Sequence, residues 1–88
     1  MNVFVYVRGK LSCGRDEIED AITEALGDAG EVTGGGAGTM GSNVDIEITD
    51  RSISADAAVE TIRTALARFD LPRTSTVVAD GTKYPLYP

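Results

Sequence analysis

From Val44 to Thr49 the chain alternates strictly: Val44, Ile46 and Ile48 are apolar, and Asp45, Glu47 and Thr49 are polar. A period of two means a strand with one buried face and one wet face. The apolar side needs a covering layer, and amphipathic helices on both sides of the segment can supply it. The polar side sets Asp45 and Glu47 about 7 Å apart along one edge of the strand. Paired carboxylates can serve acid–base chemistry or a metal. They are equally at home as solvated groups on the open face of an antiparallel sheet.

Immediately upstream, residues 34–43 hold five glycines: Gly34, Gly35, Gly36, Gly38 and Gly41. Glycine loses more backbone entropy on folding than any other residue, so the density needs a reason. The expectation is a loop joining a short strand at Glu31–Thr33 to the strand at Val44–Thr49. It is either a mobile hairpin tip or a ligand loop in which the backbone of Gly34, Gly35, Gly36 and Gly38 approaches something closely. It has no Gly-Lys-Ser/Thr ending and runs from strand to strand. It therefore lacks the cation and helix N-terminus of a phosphate-binding loop.

The remaining elements fall symmetrically around this stretch. Val3 to Val7 is a run of β-branched and aromatic residues, as in a central strand. Ile18, Ala21, Ile22, Ala25 and Leu26 form one helical stripe, with Asp16 and Glu19 spaced as a capping pair and Gly27 and Gly30 as stop signals. Ser54 reads as the N-cap of a second helix with the stripe Ala58, Val59, Ile62, Ala65, Leu66 and Phe69, closed by Pro72. A strand follows at Ser75–Ala79. Asp80-Gly81 is a two-residue turn signal, and Thr82–Leu86 returns as an edge strand carrying Pro85. The order β-α-β-β-α-β predicts a single α+β domain, 1–88, of the ferredoxin-like split βαβ type. Its antiparallel sheet should run fourth, first, third, second, with both helices on one face and an extra edge strand at the C-terminus.

Charge and composition narrow the function. Fourteen acidic residues stand against eight basic ones, a net charge of −6. This disfavours nucleic acid, whose phosphates need a basic surface, and suits a protein partner with a basic surface. No apolar run reaches the roughly 20 residues of a membrane helix, and the N-terminus does not read as a signal peptide. With one cysteine, Cys13, no internal disulfide is possible; a cytoplasmic location is expected. Histidine is absent, which removes the usual general base, the Ser-His and Cys-His nucleophile pairs and the common zinc ligand sets. No cofactor and no catalytic residue are expected, and oligomeric state is left open.

The turn Gly9-Lys10-Leu11-Ser12-Cys13-Gly14-Arg15 joins a strand to a helix start and could hold an anion on backbone amides. Cys13 there could be an activated thiol or simply a small residue. The chain resembles acylphosphatases in size and strand order, with Gly9 and Arg15 in the phosphate-loop position, but lacks their glycine–valine–glutamine–glycine pattern. It shares the element order of ACT-type ligand-binding domains without their Pro-Gly signature. Gly30-Glu31-Val32-Thr33-Gly34-Gly35-Gly36, followed by Asp45-Ile46-Glu47, resembles the G-E-V-x-G-G-G…D-I-E core of small uncharacterised bacterial domains, some of which look like immunity proteins. That resemblance implies a non-enzymatic interaction domain.

On this reading Glu31, Asp45, Glu47, Phe4 and Tyr6 are the partner-binding residues. Val3, Val5 and Val7 should face the helices, leaving Phe4 and Tyr6 on the open side beside the acids. The alternatives are a C-terminal hairpin folded over the two rings, and a regulatory domain binding a small ligand through the glycine loop or the Gly9–Arg15 turn.

Overall fold

The computed structural model describes residues 1–9, 11, 13–38 and 41–88. Strand β1 (Asn2–Arg8) leads into helix α1 (Arg15–Leu26), a short 3-10 turn, and the hairpin of β2 (Gly30–Gly38) and β3 (Gly41–Ile48). Helix α2 (Ala55–Leu66) and the hairpin of β4 (Thr76–Ala79) and β5 (Thr82–Pro85) complete the chain. The fold is α+β, a five-stranded antiparallel sheet in the order β2-β3-β1-β4-β5. It contains the expected fourth-first-third-second order and departs from a bare four-stranded sheet by adding β5 outside β4.

One layer of side chains holds the helices to the sheet. Val3, Val5 and Val7 from β1, Val44, Ile46 and Ile48 from β3, and Val77 and Ala79 from β4 are buried. They pack in one cluster with Ile18, Ile22 and Leu26 of α1 and Val59, Ile62 and Leu66 of α2. Burying each large aliphatic side chain is worth about 1.5–3 kcal/mol, so this layer dominates stability. Ala25 is an exception to the expected stripe and lies exposed on α1.

The helix starts are built differently. Ser54 Oγ accepts the Ala57 N–H at 3.1 Å, as the N-cap pattern predicts. In α1 the expected Asp16–Glu19 pair does not cap. Gly14 is the N-cap, and the Glu17 carboxylate accepts the Gly14 N–H at 2.9 Å, while the Glu17 N–H donates to the Gly14 carbonyl. The helix begins two residues earlier than the Asp16–Glu19 pattern suggests, so Asp16 is already inside the first turn. Glu19 instead pairs with Arg15 at 2.9 Å.

The glycine stretch is the main correction. Gly34, Gly35, Gly36 and Gly38 are not a loop; they lie in β2, opposite Asp45, Val44, Asn43 and Gly41 of β3. A β-bulge at Thr33 shifts the register between Val32 and Gly34. Close approach is the reason for glycine at Gly35, where a Cβ would stand 2.5 Å from the Asn43 carbonyl oxygen. Strand propensity disfavours glycine, but a paired neighbour overrides it. The expected order or mobility of the loop tip, residues 39 and 40, lies outside the described residues.

The C-terminal hairpin follows its turn signal. Asp80 and Gly81 both take positive φ, 52° and 80°, as a two-residue turn between twisted strands requires. The tail then folds over the helix side of the sheet. Leu86 is buried, Tyr84 Oη donates to Asp56 at 3.2 Å, and Arg63 of α2 donates from Nε and Nη2 to the Pro85 carbonyl at 3.1 and 2.7 Å.

Candidate functional site on the open sheet face

Because the valines of β1 point at the helices, Phe4, Tyr6 and Arg8 point the other way. Phe4 stands opposite Asp45 of β3 and Val78 of β4. Tyr6 stands opposite Asn43 and Thr76. Tyr6 is 43 % exposed and Phe4 is half-buried. Their ring centroids are 6.3 Å apart, within the range of a favourable aromatic pair. The hairpin extends the sheet beside β1, and the residues after it, Leu86 and Tyr87, pack toward the core on the helix side, so neither folds over the two rings.

The same face carries the acids. Glu31 of β2 stands directly opposite Glu47 of β3, and Gly34 opposite Asp45. Asn43 Nδ2 donates to Asp45 Oδ1 at 2.9 Å, which ties that carboxylate to its neighbour two residues along β3. Glu47 Oε2 lies 3.7 Å from the amino group of Met1. Gly34 and Gly36 share the register of Asp45 and Asn43, so β2 adds no side chain beside them and leaves the acidic row uncovered. The five residues expected to bind a partner, Phe4, Tyr6, Glu31, Asp45 and Glu47, therefore share one face. Of the expected ligand-loop glycines, Gly35 has the register of buried Val44 and faces away.

The far end of this face has the opposite character. A groove of about 780 Å³ opens beside Tyr6 and Asn43, and Arg8, Arg73 and Lys83 line it with no acidic residue among its walls. The Arg73 guanidinium lies 4.3 Å above the Tyr87 ring, which fixes its direction by a cation–π contact. Sequence reasoning did not single out these three cations. Arg8 and Lys83 sit at open-face positions of their strands, a signal readable once the register is known; Arg73 lies in the connection before β4 and carries no periodic signal.

The Gly9–Arg15 turn is less promising. Arg15 is taken up by Glu19, and Lys10 and Ser12 lie outside the described residues. Burial pushes the Cys13 thiol up from its ordinary pKa, and the Glu17 and Asp16 charges add to this, so the site disfavours a thiolate. Among the described residues no three of His, Cys, Asp and Glu converge as a metal site, and no helix is long and apolar enough to cross a membrane. Compared with protein-family models, curated proteins and solved structures, the chain finds no match.

Proposed function

We propose that this chain is a non-enzymatic protein-interaction domain that binds a partner with a basic surface through its open sheet face. The observation that carries the reading is the placement of Phe4 directly opposite Asp45 on the two central strands, with Tyr6 exposed beside them. Aromatic side chains supply anchoring area at low entropic cost, and charges around them set orientation and encounter rate. Glu31, Asp45 and Glu47 provide the charge. The lack of histidine supports binding over catalysis. The resemblance to immunity-type domains makes a basic toxin one fitting partner, and the single cysteine suits a bacterial cytoplasm.

The test is affinity capture from the native organism with the wild-type protein and with Asp45→Lys/Glu47→Lys. A stoichiometric, basic partner should be retained by the wild type, released by moderate salt, and lost by the charge-reversed variant while its circular dichroism stays native. Retention of the same partner by the variant, or capture of none, would reject the reading.

A further inference from the structure

The basic groove shares Tyr6 with the protein-binding face, but its cations lie outside that set and the inference does not depend on that reading. Eight cations are distributed over a chain of net charge −6, yet Arg8, Arg73 and Lys83 line one concavity and none of the fourteen acids does. Three separate segments contribute them: the end of β1, the connection before β4, and edge strand β5. Arg15 and Arg63, by contrast, are matched to Glu19 and Glu60 on their own helices. Among the described residues Arg8, Arg73 and Lys83 have no ion-pair partner. Like charges repel when gathered without counter-ions, so the arrangement costs stability in the empty protein and gains it when an anion enters.

The walls also limit the anion's size and kind. A volume of about 780 Å³ lies within the roughly 300–1,000 Å³ of small-molecule sites. Tyr6, Val78 and Pro85 supply an apolar side, and Asn43 and Thr76 supply hydrogen-bonding groups. The exposed Tyr6 ring offers a flat surface on which another ring can stack. An arginine fork fits phosphoryl oxygens two at a time, and the Lys83 ammonium adds a compact charge. We infer that this groove is a binding site for a small organic phosphate, with Arg8, Arg73 and Lys83 holding the phosphoryl group and Tyr6 facing the ring or chain that carries it.

Amide-resolved NMR titration of the whole chain with phenyl phosphate and with adenosine 5′-monophosphate tests this, using phenol as the uncharged control. Support is a saturable one-to-one shift centred on Tyr6, Arg8, Asn43 and Thr76, absent with phenol. Arg8→Gln and Lys83→Gln, both at exposed positions, should each weaken it on the order of tenfold with an otherwise unchanged spectrum. Overturning results are no saturable shift with either phosphate, unchanged binding in the double variant, or shifts confined to residues 9–17. Binding of a single-stranded oligonucleotide with no binding of either small phosphate would also overturn it. A loss of partner capture by Glu47→Lys, at a position outside the groove walls, leaves this result untouched, so the two proposals fail separately.

Discussion

Glu31 stands directly opposite Glu47 across the β2–β3 pair, on the face away from the helices. Two like charges in that position repel, and cross-strand pairs contribute about 0.2–1 kcal/mol. Glu31→Lys should therefore raise stability by about 0.5–1 kcal/mol, seen as a higher urea midpoint at constant slope. If the face binds a basic partner, the same variant should bind it more weakly. A lower urea midpoint would show that Glu31 makes a favourable interaction that the pairing does not reveal.

The glycines of β2 are not equivalent. A Cβ at Gly35 would sit 2.5 Å from the Asn43 carbonyl oxygen, whereas one at Gly34 meets only Asp45 Oδ2 at 3.7 Å. Gly35→Ala must push β2 away from β3 and should cost roughly 1–3 kcal/mol. Gly34→Ala should be neutral or stabilising by up to about 1 kcal/mol, because it restricts the unfolded chain. Thermal or urea unfolding of the two variants side by side checks the order; equal effects would contradict the pairing at Gly35.

Arg63 ties the C-terminal hairpin to α2 through two hydrogen bonds to the Pro85 carbonyl and an ion pair with Glu60. Its side chain is 19 % exposed, so the bonds are only partly solvated. Arg63→Ala should cost about 1–2 kcal/mol and speed hydrogen exchange in β5. Arg63→Lys should recover only part of this, since an ammonium cannot present the paired donors of the guanidinium.

Hydrogen bonds from Ser52, first its hydroxyl and then its backbone N–H, hold the Asp50 carboxyl below its ordinary pKa. The folded state thus binds this proton less readily than the unfolded chain. The resulting stabilisation is fully present above the ordinary carboxylate range and is lost as pH falls through the lowered value. Ser52→Ala should move the Asp50 titration upward in a carboxyl-detected NMR experiment and flatten that part of the stability curve. An unmoved titration would show that Ser52 is not the cause.

The alternation at Val44–Thr49, the β1 run and the two helical stripes were enough to read the element order, the sheet core and the side on which Phe4 and Tyr6 lie. Each depends on periodicity that a single segment carries within itself: apolar side chains have one place to go, and the spacing says which face they share. Asp80-Gly81 was equally legible, since the positive φ of its turn selects its residues locally. The glycine strand and the basic groove belong to tertiary structure. Gly34 to Gly38 form a strand only because β3 supplies the hydrogen-bond ladder and requires close approach at Gly35. Arg8, Arg73 and Lys83 come together only because β4 pairs with β1 and β5 pairs with β4. Neither outcome depends on a local preference; both follow from which backbones lie side by side once the helices have covered one face of the sheet.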